Sequence, residues 1–351
     1  MRLGVVARAD DTGLGNQTRE FVRHMKPDKV MVVDISSLNG NPQHPEWYKD
    51  ESALFVRGFP KLGDIRWLLE DIDVVYVAES PYNYELYNEA RKAGVKTAVQ
   101  YNYEFFDWFV YGHYPRPDML IAPTKWHYDI IDAFAESEGI RHLHLHFPVN
   151  RDHIKYTPRD NKHARSFLHI AGKPAVHDRN GTNSFIDAAK DLYARGTPAK
   201  FTIATQDQDL INRILVEAGF IRIRQHVENY ADLYDEDVLV MPRRYGGNCL
   251  PVNEALSAGM PVIMPDISPN NDWLPKHWLV KAERMGEFRP RQVVQIYNTD
   301  LYDLVDKIEW LTHKASMQEE RQLADKLAQS ISWETLKPMY QTALEYLCSS
   351  R

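Results

Sequence analysis

The chain is poor in the residues that mark several whole classes of protein. Its 351 residues include two cysteines, Cys249 and Cys348, too few for a disulfide framework and without the paired spacing of a zinc site. That usage suits a reducing cytosol. No apolar run approaches the roughly 20 residues of a membrane-spanning helix. The opening "MRLGVVARADD" has too short an apolar run for a secretory signal, so a cytoplasmic protein without membrane insertion is expected. Positive charge is not in surplus: 42 Lys and Arg stand against 49 Asp and Glu, a net −7. This argues against a general polyanion binder, although a local basic groove remains compatible with it. Low-complexity tracts and short internal repeats are lacking as well.

What is present is alternation. Short apolar runs predict strands at 3–7, 29–34, 74–78, 97–101 and 119–122, with amphipathic helices over 16–25, 64–70, 84–93 and 127–135. The second half repeats the pattern, with strands at 165–171, 200–204, 221–224, 238–242 and 261–264. Its helices fall at 183–195, 208–217, 254–258 and 301–311. Strands and helices alternating in this way build parallel sheets through right-handed crossovers. Gly94, Gly139, Gly219 and Gly259 stand where helices should stop. The polar, Pro-bearing stretch 147–166 reads as a boundary. The expected organisation is therefore α/β, two doubly wound Rossmann-like domains (1–150 and 151–330) facing a central cleft. The tail "SWETLKPMYQTALEYLCSS" has helical apolar spacing, so 331–351 is expected to be a closing helix packed on the first domain.

Ligands of doubly wound sheets sit at the carboxyl ends of strands, and three segments there carry chemistry. In "RADDTGLGNQTRE", 8 to 20, Gly13 and Gly15 permit a tight turn and Asn16 is a good helix cap. Amides at that helix start can hold a phosphate or a sugar hydroxyl. The full dinucleotide fingerprint is missing, and a plain strand-to-helix turn fits equally. In "HIAGKPAVHDRNGT", 169 to 182, Lys173, His177 and Arg179 are three cations able to neutralise a diphosphate, against the alternative of a solvated basic loop. Asp178 would orient Arg179 or cap the next helix. The third is "RRYGGNCLPVNEALSAGMPVIMPD", 243 to 266. Arg243 and Tyr245 open a loop whose Gly246, Gly247 and Asn248 offer bare backbone amides. Leu250 and Pro251 begin a helix, and Glu254 sits in its first turns, where a carboxylate can accept two hydroxyl hydrogens of a ribose.

At this stretch the chain resembles the GT-B glycosyltransferases, especially the large retaining family numbered four. Leu250, Pro251, Glu254, Ala255, Gly259, Pro261 and Val262 match its donor signature in order. The likeness implies that Glu254 binds ribose and that Lys173 and Arg179 hold the diphosphate. It also implies that Gly13, Gly15, Asn16, His177, Arg243, Tyr245, Gly246, Gly247, Asn248 and Leu250 surround the donor. A UDP-sugar is the first expectation for that donor. No further cofactor and no metal are expected, because the protein supplies the cations and the donor loops carry no Asp-x-Asp stretch. One departure matters: the family has an acid eight positions before Glu254, where this chain has Gly246. A non-catalytic sugar-nucleotide binding protein is thereby left open. The variant loop is similar to phage-encoded members, which implies a 5-hydroxymethylpyrimidine in DNA as acceptor, with a virion protein or glycan as the alternative and the host cytoplasm as location.

On the acceptor side, "QYNYEFFDWFVYGHYPRP", 100 to 117, crowds aromatics after a strand. Tyr103 and Trp108 are candidates for stacking on an extruded base, with core packing the competing reading. Tyr82 and Asn83 from "AESPYNYE" would share that rim, and Glu79 and Glu104 are its acids available for base work. "HLHLH", 142 to 146, alternates as a strand does and is expected to show one exposed face rather than a metal site.

Overall fold

The computed structural model describes residues 1–107, 112–172, 176–225, 227 and 229–349. The chain divides into two compact units, Met1–Phe147 with Trp333–Arg351, and Pro148–Ser332.

The first unit is built on seven parallel strands: β1 (Leu3–Ala7), β2 (Lys29–Asp34), β3 (Ala53–Arg57), β4 (Val74–Ala78), β5 (Lys96–Gln100), β6 (Met119–Ala122) and β7 (Arg141–His144). Their order is β3-β2-β1-β4-β5-β6-β7, so the chain reverses its direction of travel between β1 and β4. β1 and β4 are buried at every position, which is why they read as unbroken apolar runs. β3 lacks that signal because it is the edge strand, with Phe55 47% exposed. Helix Trp333–Ser349 closes this unit. Its Trp333 and Tyr340 set their edges against Phe21, which itself stacks on Tyr76 with centroids 3.7 Å apart. Each buried aromatic removes roughly 150–250 Å² from water, on the order of 4–6 kcal/mol as an upper estimate.

The second unit has a six-stranded sheet of β8 (Ser166–Gly172), β9 (Lys200–Thr205), β10 (Arg222–Arg224), β11 (Val238–Val240), β12 (Val262–Pro265) and β13 (Leu279–Val280), in the order β10-β9-β8-β11-β12-β13. Its five strand pairings are parallel. An antiparallel hairpin, β14 (Ala282–Phe288) and β15 (Val294–Thr299), follows. The hairpin was not expected, because β14 is largely exposed and polar and carries no apolar alternation. Helix Gln318–Ser330 was also missed.

The stretch 147–166 belongs largely to the second unit and is not a loose linker. Arg321 donates to the Arg159 and Asn161 carbonyls, and Asp237 accepts from Asn161, Ser166 and the Arg165 amide. Gly94 and Gly139 close their helices in the left-handed conformation. At Gly219 the expectation fails, because Ala218 ends that helix. Among the described residues, no helix is long and apolar enough to cross a membrane. The two cysteines are free.

Candidate functional site

In the second unit, β8 and β11 are neighbours at the point where the strand order reverses, and the loops that follow them meet. After β8 the backbone is left-handed at Gly172, His177, Asp178 and Gly181. Gly181 is required: a Cβ there would stand 1.8 Å from the Pro242 carbonyl oxygen. Asp178 caps helix Thr182–Ala194, accepting from the Thr182 and Asn183 amides at 2.9 and 3.1 Å. Burial pushes its carboxyl above the ordinary range, and those two bonds oppose the shift. Asn180 ties the loop back to the Ala171 carbonyl at 3.0 Å. Beneath the loop His169 is fully buried, bridging the Val240 carbonyl (2.8 Å) and the Thr182 hydroxyl (2.9 Å).

The loop after β11 is fastened to the same place. The Arg244 amide bonds the Arg179 carbonyl at 2.8 Å, and its guanidinium bonds the His177 and Tyr297 carbonyls. The Tyr245 hydroxyl reaches the Val176 carbonyl at 2.7 Å, and the Arg179 guanidinium lies over the Tyr245 ring. Two cations result at one point. A Cβ on Gly246 would stand 2.5 Å from Arg243 Nη2 and 2.8 Å from Arg179 Nη2, and Gly246 has φ +119°. The expected acid is thus replaced by space that two guanidiniums fill. Arg243 is buried and also donates to the Asn248 carbonyl at 3.0 Å.

Helix Leu250–Ser257 begins with Pro251 in its first turn and Cys249 at its cap. Glu254 lies one turn in, half-buried. The Tyr234 hydroxyl donates to its carboxylate, a partner not anticipated from the sequence. Gly247 and Asn248 are half-buried between the arginines and this helix. His177 packs against Phe288 of the hairpin, with ring centroids 5.0 Å apart. Lys173 lies outside the described residues.

A cavity of ≈ 320 Å³ opens beside Arg179, lined by Gly172, Asn180, Asp207, Asp209 and Arg213 among others. Asp207-Gln208-Asp209 is an Asp-x-Asp stretch, so the expectation that none stands near the donor loops is corrected. Asp207 spends a carboxylate oxygen as the cap of helix Gln208–Glu217, accepting from the amides of Asp209 and Leu210. Among the described residues, no three His, Cys, Asp or Glu side chains group as a metal site.

In the first unit Thr12, not Asn16, caps helix Gly13–Met25, because the Thr12 hydroxyl accepts the Gly15 amide at 3.1 Å. Gly13 is the first helical residue, and Asn16 is bonded to the Thr12 carbonyl within the first turn. Gly15 lets the helix start approach the loop after β1: a Cβ there would lie 2.0 Å from the Asp10 carbonyl oxygen. The sequence reading overlooked the buried pair beside it. Arg8 and Asp10 are 6% and 0% exposed, and Arg8 bonds both the Asp10 carboxylate and the Tyr82 hydroxyl. Charged residues at an apolar strand's end were the available signal. Burial pushes Tyr82 up to about 12, against the opposing pull of Arg8.

The acceptor candidates are scattered by packing. Asn83 spends its side chain on the Pro60 carbonyl and the Glu85 amide. Glu79 accepts from Asn102 at 3.1 Å. Tyr103 is 6% exposed, its ring 4.1 Å from that of His127, and Glu104 is 5% exposed. Core packing therefore takes Tyr103 and Glu104. Trp108 lies outside the described residues. The histidine strand is corrected too: the His142 side chain is 2% exposed and bridges Tyr101 and Asp132. Burial, first of all, lowers His146 to about 4.

Residues 166–289 match the family described as "Glycosyl transferases group 1". No curated protein sequence matches the chain. Among solved structures it is similar to a glycosyltransferase from Rickettsia africae ESF-5, with a TM-score of 0.68 at 11% identity, covering 100% of this chain and 99% of that one. Anabaena HepE in complex with UDP gives a TM-score of 0.67 at 11% identity, with 99% and 100% covered. The pneumococcal O-GlcNAc transferase GtfA in complex with UDP and GlcNAc gives a TM-score of 0.60 at 11% identity, with 82% and 60% covered. The chain spans only about three fifths of that structure's length and of the GtfA/B complex chain it also matches. These likenesses show the fold: two parallel-sheet Rossmann-like units of the GT-B type.

Proposed function

We propose that the chain is a glycosyltransferase that moves a sugar from a nucleoside diphosphate sugar, a UDP-sugar first of all, to a hydroxyl acceptor, with retention of configuration and without a divalent metal. The observation that carries this reading is the convergence of Arg179 and Arg243 on Gly246, one helix start away from Glu254. Two guanidiniums beside the glycine loop at 246–247 suit a diphosphate. A carboxylate on the adjoining helix suits the ribose hydroxyls. The match over residues 166–289 supports assigning the donor to this unit, and UDP in two structural neighbours supports uridine.

In this reaction the bond from the anomeric carbon to the diphosphate breaks and a bond to the acceptor oxygen forms. The leaving phosphate oxygen takes the acceptor's proton, so neither Glu79 nor Glu104 is needed as a base. Arg179, Arg243 and Lys173 stabilise the leaving diphosphate in place of a metal ion.

For the acceptor, a 5-hydroxymethylpyrimidine of phage DNA would be read by stacking, and buried Tyr103 lends no support to that. Residues 1–150 carry 16 Lys and Arg against 22 Asp and Glu, net −6, which disfavours a DNA-facing surface. A protein or glycan hydroxyl therefore stands level with it.

The test is binding followed by turnover. Arg179→Met and Lys173→Met should weaken UDP far more than uridine; equal losses for both ligands would remove the diphosphate clamp. UDP release from a panel of UDP-sugars, offered hydroxymethylated DNA, virion protein and glycans in turn, identifies the acceptor. Donor binding without release on any of them would make the chain a sugar-nucleotide binding protein.

A further inference from the structure

A diphosphate clamp leaves the other side of Glu254 unexplained. Tyr230–Tyr234 forms a short 3-10 turn ahead of β11, and the Asn229 side chain caps it by accepting the Ala231 amide at 3.2 Å. The turn points two tyrosines at one carboxylate. Tyr234 is 2% exposed and donates its hydroxyl proton to Glu254. The Tyr230 hydroxyl stands 3.3 Å from that of Tyr234. Both phenols therefore belong to one hydrogen-bonded group with the Glu254 carboxylate. The two rings meet at 78° with centroids 5.8 Å apart.

Tyr230 is nevertheless 40% exposed. Its hydroxyl end is anchored while part of its ring surface remains open to solvent. Fixing a side chain costs rotamer entropy, and leaving the ring open forgoes much of the burial that would offset that cost. A flat apolar surface fixed before a ligand arrives spares the ligand that ordering cost. In a ribonucleotide the base hangs from the carbon next to the one bearing the 2′-hydroxyl. A planar ring one side chain removed from the residue assigned to the diol is within reach of a base carried on that ribose.

We propose that Tyr230 is the stacking platform for the donor's nucleobase and that Tyr234 is a positioning residue that holds the Glu254 carboxylate toward the ribose. This rests on the assignment of Glu254 to the ribose made above. The pair gives the site one surface for the base and one fixed acceptor for the sugar hydroxyls.

The experiment is calorimetric titration of the 351-residue chain and four variants with UDP, dUDP and pyrophosphate. Wild-type binding of UDP is the check on the donor reading, and its absence would sink that reading before the tyrosines are considered. Given wild-type binding, Tyr230→Leu, which loses both ring and anchor, should lose about tenfold or more for UDP, the scale of one base–aromatic stack, while Tyr230→Phe, which keeps the ring and loses only its hydroxyl anchor, should lose distinctly less. Neither change should alter pyrophosphate. Wild type should prefer UDP to dUDP through the 2′-hydroxyl, and Tyr234→Phe should shrink that preference, which a merely structural role would leave in place. Glu254→Gln supplies the reference loss. Unchanged UDP affinity in Tyr230→Leu, or equal losses in the Leu and Phe variants, would overturn the platform. An undiminished preference for UDP over dUDP in Tyr234→Phe would overturn the positioning role.

Discussion

Arg179 and Arg243 bring guanidinium nitrogens to 2.8 and 2.5 Å from the point where a side chain of residue 246 would begin. Gly246 is favoured by its backbone angle, φ +119°, and a side chain there would also have to push the two guanidinium tips aside. Gly246→Ala should displace at least one guanidinium and weaken UDP by about tenfold or more, ~1.4 kcal/mol, with uridine unaffected. Calorimetry of both ligands decides it, and unaltered UDP affinity would show that the arginines grip something else.

Glu254→Ala should weaken uridine and UDP alike by about 1–3 kcal/mol, the scale for losing a charged hydrogen-bond partner. It also strips the buried Tyr234 hydroxyl of its acceptor, so a lower melting temperature is expected alongside. A folded variant with wild-type affinity for uridine would take Glu254 out of the ribose subsite.

Transfer should persist in excess chelator, since the stabilising cations belong to the protein. The Asp-x-Asp stretch at Asp207 and Asp209 beside Arg179 makes this a sharp test. If chelation stops turnover and Asp209→Asn reproduces the loss, the metal-free scheme is wrong.

His169 supplies a pH signature of the fold. Burial depresses its folded value to about 4, below the ordinary 6.5. Between those values the unfolded chain binds a proton that the folded chain excludes, so stability is full above about pH 6.5 and is lost as pH falls toward 4. The loss is on the order of 3 kcal/mol. His169→Gln should flatten the decline of melting temperature from pH 7 to pH 4.5. A decline as steep as that of the wild type would assign it to other groups.

Much of the frame was legible in the chain. Parallel strands covered on both faces appear as unbroken apolar runs, which is why Leu3–Ala7, Val74–Ala78 and Val238–Val240 stood out. Leu250, Pro251 and Glu254 were legible because a helix start fixes its own spacing. β3 and β14 were not, since an edge strand and an exposed hairpin bury too few residues to impose a pattern. The aromatic stretch was ambiguous for the opposite reason. A ring that packs against His127 and a ring that would stack on a base are the same residue type, and only the 6% exposure of Tyr103 separates them.

What the sequence by itself determined was local: the alternation, the glycines at turns, and the carboxylate one turn into a helix. These depend on neighbours within a few positions, where spacing alone sets geometry. What the tertiary structure decided was which distant groups meet. Arg179 is 67 positions from Gly246, and Tyr234 is 20 from Glu254. The first pair meets because parallel crossovers deliver the loops after β8 and β11 to one edge of the sheet, and the second because the turn ahead of β11 packs beside the helix that follows that strand. No periodicity along the chain encodes that meeting, since it arises from strand order, and strand order is set by packing across the whole sheet.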